Sequence, residues 1–258
     1  PNGHAPIEKN PAKPSLYDAG RQFIAAVKNN RPFQLFVAAY MCLGLGLGMW
    51  GGLFFIYVDA FLGLGDQFAT IAVAGMVIGL LITPVCYKLT TLLGKRTTWM
   101  ISSCVVLFGV FYTGTLNPGD ATVIHLLILQ TILIAGGVFG GVIAPAMLSD
   151  TIDYGALVDG VDRNGLYFSI FTLLVKMQGA LGAAMGLALA GWFGFDATAA
   201  EQTERGIFGM QLAISWVPLC IASLGLLFIW RTPLNDRRNE IVRQRLKSRF
   251  DAKADMEV

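Results

Sequence analysis

Apolar positions run along this chain in long blocks, and polar residues are gathered into separators between them. Six blocks, at about residues 33–61, 67–92, 98–116, 121–148, 166–194 and 207–230, approach or exceed the roughly 20 apolar residues that a helix needs to cross a bilayer. Three separators are short: Gly63 to Asp66, Gly94-Lys95-Arg96-Thr97 and Asn117-Pro118-Gly119-Asp120. Two polar loops, Ser149 to Gly165 and Asp196 to Gly206, are longer. The pattern predicts an all-α integral membrane bundle of six spanning helices occupying residues 31–230. Residues 1–30 read as a linker: Pro6, Pro11 and Pro14 come first, then a short amphipathic helix capped by Ser15 and Asp18 and carrying Phe23, Ile24 and Val27. Residues 231–258 form a basic tail in which Leu234, Val242, Leu246 and Phe250 fall close to one helical face, an arrangement suited to lying along headgroups.

Composition explains why a bilayer is required. Of 258 residues 55% are hydrophobic and 14% charged, with mean hydropathy +0.60, whereas soluble chains carry about 25% charged residues. The 30 glycines agree, since glycine is commoner in membrane helices than in soluble ones. Cys42, Cys86, Cys104 and Cys220 lie in apolar stretches without paired spacing and read as small apolar packers. There is no phosphate loop, dinucleotide fingerprint or HExxH, and the two histidines, His4 and His125, form no cluster. The expectation is a chain that is not an enzyme, holds no metal and engages no nucleic acid. Pro1-Asn2-Gly3-His4 begins without an initiator Met or a signal peptide, so the chain is expected to start inside a longer product.

Net charge, +2, says little, but its distribution sets orientation. With the amino end in the cytoplasm, every one of the 19 Lys and Arg residues lies inside except Arg205, outside, and Lys176, within a helix. Asp59, Asp66, Asp120, Asp196, Glu201 and Glu204 fall on the outer turns. Both termini are expected in the cytoplasm, and the membrane is expected to be a bacterial inner membrane. Small-xxx-small pairs (Gly48/Gly52, Gly75/Gly79, Gly136/Gly140, Gly137/Gly141, Gly182/Gly186) predict close helix contacts, and Pro84, Pro145 and Pro218 predict kinks.

Lys176 does not suit a passive bundle. It stands about ten residues into the fifth helix, roughly 15 Å from its inner end, near the middle of a core about 30 Å thick. An ammonium there costs at least ~2.5 kcal/mol and cannot snorkel to either surface. No acid of this chain lies at a comparable depth, so its partner is expected outside the chain. The inner loop after the fourth helix is the second unusual feature. Asp150 and Asp153 stand one turn apart at a helix end, where Lys95, Arg96 and Arg163 from neighbouring loops are candidate partners in an inner-side gate. Tyr40 and Trp50, in the first helix, are candidates for a central cavity, with buried packing the competing role.

These residues carry a resemblance. Asp150-x-x-Asp153-Tyr154-Gly155, then Arg163, then Gly165-Leu166-Tyr167-Phe168-Ser169 running into Phe171-Thr172-x-x-x-Lys176, resembles the glycoside–pentoside–hexuronide:cation symporters of the major facilitator superfamily. Asn30-Arg31-Pro32-Phe33 and Leu93-Gly94-Lys95-Arg96 are similar to the start of that family's seventh helix and to its loop before the ninth. The similarity runs from about residue 28 to 245. It implies helices seven to twelve of a twelve-helix transporter, arranged as two inverted three-helix repeats, with substrate bound between this half and an amino-terminal six-helix half. It implies that Lys176 faces the cavity beside carboxylates of that other half, which bind the coupling cation, Na⁺ or H⁺. Thr172 then stands near a sugar, and Asp150, Asp153, Tyr154 and Arg163 belong to the inner-side network. Where a sugar carrier of the family has a tryptophan near its substrate this chain has Gly141, and where it has a glutamine before the Thr172 position this chain has Phe171. Ala156 replaces a glutamate common after the Asp-Tyr-Gly motif. The implied function is cation-coupled symport of a sugar, glycoside or related small solute. The alternatives are a carrier of lysolipids or other amphiphiles on the same scaffold, and a self-contained six-helix protein that dimerises as a channel or scaffold.

Overall fold

The computed structural model describes residues 24, 28, 30–159, 163–199, 201–233 and 236–254. Six helices are long and apolar enough to cross a membrane. They are α1 (Arg31–Phe61), α2 (Phe68–Leu93), α3 (Lys95–Thr115), α4 (Val123–Asp159), α5 (Asn164–Trp192) and α6 (Glu204–Arg231). A polar helix, α7 (Asp236–Ala254), follows. Among the described residues there is no strand.

Local chemistry sets the boundaries. Asn30 caps α1, its Oδ1 accepting from Phe33 N at 3.0 Å, and Pro32 occupies the first turn, where a missing N–H costs nothing. Gly94 alone joins α2 to α3 at φ +81°, a left-handed conformation that side chains with a Cβ resist. Thr203 caps α6, accepting from Gly206 N at 3.1 Å. Two turns depart from α geometry: π-helical residues Tyr57–Phe61 close α1, and Leu212–Trp216 interrupt α6 just before Pro218. The expected linker helix lies outside the described residues, except that Ile24 and Lys28 are helical.

One expectation changes. The polar loop predicted from Ser149 is helix: α4 continues to Asp159, 37 residues in all, and Pro145 does not end it. The acids that depress hydropathy there are held by cations, so the helix runs on past the apolar block.

Helix packing shows the repeat. α1 packs on α5 and on α6; α4 packs on α2 and on α3; α3 meets α6. Exchanging α1 with α4, α2 with α5 and α3 with α6 maps this pattern onto itself, as two three-helix repeats require. The exchanged pair α2 and α5 are also the least buried spans, each leaving a broad face uncovered. Small residues allow close contact between α1 and α5. A Cβ on Gly182 would stand 2.6 Å from Leu45 O and 2.8 Å from the Gly48 backbone. Gly182→Val is therefore expected to lower the stability of the detergent-solubilised protein by about 1–3 kcal/mol, the usual cost of overpacking, read as a fall in melting temperature. An unchanged melting temperature would show that the α1–α5 contact does not depend on the missing side chain.

Two apolar clusters fill the bundle. One gathers Tyr57, Phe61, Leu116, Leu126 and Met210 at the end where α1 closes and α6 begins. The other gathers Phe33, Phe36, Trp99, Met147, Leu148, Ile152 and Ile229 at the end where α1 begins and α6 ends. Between them the packing opens.

Candidate functional site

The opening is a cavity of about 220 Å³ bounded by α1, α3, α4 and α5. Tyr40, Leu43, Gly44 and Leu47 line it from α1, Trp99, Ser102, Ser103 and Val106 from α3, and Gln178 from α5. Its α4 wall is the glycine run Gly136, Gly137, Gly140 and Gly141. A Cβ on Gly137, Gly140 or Gly141 would meet nothing within 4 Å, so on this stretch bare backbone keeps the cavity open. Both serine hydroxyls are committed to their own helix, Ser102 and Ser103 donating to Trp99 O at 2.9 and 2.8 Å.

The residues singled out in the sequence divide around this space. Gly141 and Tyr40 line it. Phe171 stands behind, its ring 5.0 Å from that of Tyr40 and 6.1 Å from that of Phe36. Trp50 lies elsewhere, its Nε1 donating to Thr113 Oγ1 at 3.1 Å and its ring stacked on Phe54 at 4.3 Å. Thr172 and Lys176 are exposed on α5, and the Thr172 hydroxyl donates to Phe168 O at 2.9 Å. Lys176 is the thirteenth of 29 residues in α5, hence central in a spanning helix. Gln178 was not singled out in the sequence, because a neutral amide demands no counterion.

A second constellation lies at the end where α1, α3 and α5 begin. Asp150 has a fully buried side chain, and Lys95 Nζ meets its Oδ2 at 2.6 Å. Arg243 of α7 bridges both acids, its Nη2 donating to Asp150 Oδ1 at 3.1 Å and its Nε to Asp153 Oδ2 at 3.1 Å. Burial of Asp150 is tolerable because each oxygen receives a charged donor. Arg96 turns the other way and donates to the Trp230 carbonyl at the end of α6, where a cation suits the exposed carbonyls. Arg163 stands at the start of α5, and Tyr154 lies with Arg31, Arg238 and Val242 around a shallow surface pocket. The tail differs from the sequence reading: α7 packs on α4, and Val242 and Asn239 are buried there. Leu234 and the side chain of Phe250 lie outside the described residues.

Gly155 completes the motif by leaving room. Asn30 Nδ2 donates to Thr151 O at 2.7 Å and to Tyr167 Oη at 3.2 Å, tying the start of α1 to α4 and α5. A Cβ on Gly155 would stand 2.6 Å from Tyr167 Oη and 2.8 Å from Asn30 Nδ2. Asp150, Asp153 and Gly155 thus each fasten the same end of the bundle, joining α1, α3, α4, α5 and α7. Among the described residues no group of His, Cys, Asp and Glu could hold a metal ion.

Comparison with known proteins gives this geometry a context. A profile described as MFS/sugar transport protein matches residues 8–236. The chain is 26% identical over 233 residues to a glucuronide carrier protein homolog of Escherichia coli strain K12, covering 90% of this chain and 50% of that protein. It is 24% identical over 236 residues to a lactose permease of Lactobacillus helveticus, covering 89% of this chain and 36% of that protein. It is also 20% identical over 253 residues to the human sodium-dependent lysophosphatidylcholine symporter 1, covering 95% and 45% respectively. The chain spans about half the length, or less, of these curated relatives.

Proposed function

Because this chain belongs to the MFS/sugar transport protein family, we propose that it is the carboxy-terminal half of a cation-coupled symporter working by alternating access. The observation that carries this reading is Lys176, exposed at the centre of a spanning helix. An ammonium at that depth facing lipid costs at least ~2.5 kcal/mol and more on stricter scales. A protein surface bearing a carboxylate, or a wet cavity walled by one, removes that cost, and among the described residues no acid forms an ion pair with Lys176. The uncovered faces of α2 and α5 provide the contact area for such a surface. The amino-terminal half supplies the acids that hold Na⁺ or H⁺, and substrate binds between the halves near the midplane. The cluster of Lys95, Asp150, Asp153 and Arg243 keeps the inner ends of α3, α4 and α7 together while the halves rock. Both termini are then cytoplasmic.

The substrate class that suits the cavity is a sugar or glycoside. Aromatic surface from Trp99 and Tyr40, with polar capacity from Tyr40 and Gln178, matches a ring that carries both C–H faces and hydroxyls. The relatives' names, glucuronide carrier and lactose permease, point the same way. A second reading, a lysolipid substrate, is favoured by Leu43, Leu47 and Val106 along the same wall and by the lysophosphatidylcholine symporter among the relatives. Uptake of glucuronides, lactose and lysophosphatidylcholine by the complete protein in proteoliposomes separates the two, and transport of none of them contradicts both. Gly140→Trp places an indole in the open space on the α4 wall and is expected to abolish uptake with expression retained. Normal uptake by that variant would remove the cavity from the transport path.

A further inference from the structure

The end of the bundle where α1 begins and α6 ends carries a second pocket, of about 310 Å³, apart from the cavity. Arg31 lines it from α1, Tyr154 from α4, and Arg238, Ile241 and Val242 from α7. No acid is part of its lining. Asp153, next to Tyr154 in the chain, accepts from Arg243 Nε at 3.1 Å, and Glu240 is exposed on α7 outside the pocket. Among the described residues neither the Arg31 guanidinium nor the Tyr154 hydroxyl has a hydrogen-bond or ion-pair partner. Arg238 donates one N–H to Pro233 O at 2.9 Å, and a guanidinium carries five. Arg31 is also the first residue of α1, so the positive end of that helix adds to its charge. Two guanidiniums and a phenol, from three helices, therefore share one pocket with no counter-charge in its wall.

Depth in the membrane identifies the anion that suits them. Arg31 opens a spanning helix, and Pro233 follows the last residue of another, Arg231, by two positions. Trp230, 61% exposed, marks the same boundary, where indoles settle beside headgroups. The pocket thus stands at headgroup level, where the abundant anion is phosphate. Phosphate presents oxygens in several directions, so donors arriving from three helices can each take one, whereas the two oxygens of a carboxylate lie in one plane. Ile241, 43% exposed, offers apolar surface beside the charges. We propose that Arg31, Arg238 and Tyr154 bind a phosphate group and so tie α1, α4 and α7 together at this end of the bundle. The group is carried by an anionic phospholipid or is free phosphate, and both present the same oxygens. The site goes beyond the transport reading, since no part of it touches the transported solute.

The test uses the complete protein, purified and delipidated in a neutral detergent. It is titrated with phosphatidylglycerol, with phosphatidylcholine and with inorganic phosphate. Native mass spectrometry counts retained lipid, and melting temperature is followed in parallel. Wild-type protein is expected to retain one phosphatidylglycerol about tenfold more tightly than phosphatidylcholine, whose own ammonium opposes the two arginines. Arg31→Gln and Arg238→Gln are each expected to weaken that retention about tenfold, the worth of one charge-assisted hydrogen bond, and Tyr154→Phe by a smaller factor. Arg245→Gln removes the same charge from an exposed position of α7 outside the pocket and is expected to behave as wild type. Arg31 is itself exposed, so its variant keeps the test available if Arg238→Gln does not fold. A rise in melting temperature with inorganic phosphate that Arg31→Gln abolishes supports the site with free phosphate as a sufficient ligand. A response to phosphatidylglycerol alone, lost in the same variant, supports it with the lipid as the source. Equal retention of the two lipids by wild type without a response to phosphate overturns the inference. So does a response that Arg31→Gln leaves unchanged, or that Arg245→Gln diminishes as much. Solute accumulation is measured separately, so the transport reading stands or falls without this result.

Discussion

Replacing Lys176 with alanine is expected to abolish cation-driven uptake by the complete protein while leaving its expression and melting temperature nearly unchanged. The two expectations come from the same geometry. Within this chain Lys176 is exposed and Thr172, one turn before it, satisfies its own hydroxyl against Phe168 O, so removing the ammonium creates no void here. On the facing surface of the other half the loss is large, because a carboxylate opposite position 176 would be left uncompensated at low dielectric and would take up a proton. A protonated site no longer responds to the driving cation. Uptake rate in proteoliposomes, compared with and without an imposed gradient, reads the effect. Wild-type rates in the variant would remove Lys176 from the coupling mechanism.

Replacing Asp150 with alanine is expected to be the most destabilising single change in the charged cluster. Its side chain is fully buried, whereas Lys95 is 24% exposed and Arg243 58% exposed. Removing the acid strands a mostly buried ammonium, and breaking such a pair costs about 3 kcal/mol. The Asp153 contact is weaker by this reasoning. Asp153 and Arg243 are both substantially exposed, so Asp153→Ala is expected to cost ~1 kcal/mol or less. The partner residue provides the control. Lys95→Met together with Asp150→Leu replaces the pair by apolar groups of similar size and is expected to recover most of the lost stability. Melting temperatures of the four proteins in one detergent check this. A double variant as unstable as Asp150→Ala would show that the acid serves something other than the ion pair.

Most of the fold was legible in the sequence because bilayer thickness leaves few alternatives. Six long apolar blocks must be helices, and the short separators must be turns. The boundary at Ser149 was not legible, because hydropathy falls where Asp150 and Asp153 enter, while the helix depends on their partners. Lys95 was identifiable as one partner, standing at a sharp turn next to the acidic stretch. Arg243 was not, since one arginine among many in a basic tail carries no mark of what it touches. The π-helical turns in α1 and α6 likewise have no sequence signature. In the site, Lys176 announced itself through its cost. Gly141 was found only by resemblance, and Gln178 was missed, because neither a glycine nor a neutral amide demands a counterion as Lys176 does. Trp50 shows the reverse: a large aromatic near the right depth, spent on packing against Phe54 and Thr113.

The measurement that bears most directly on the account is solute accumulation by the complete protein in sealed proteoliposomes under an imposed Na⁺ or H⁺ gradient. Half of a cation-coupled symporter, joined to its partner half, predicts that a sugar or glycoside rises inside to a concentration above that outside. It also predicts that dissipating the effective gradient with an ionophore abolishes the rise. Equilibration to equal concentrations at the same rate with and without either gradient would contradict it.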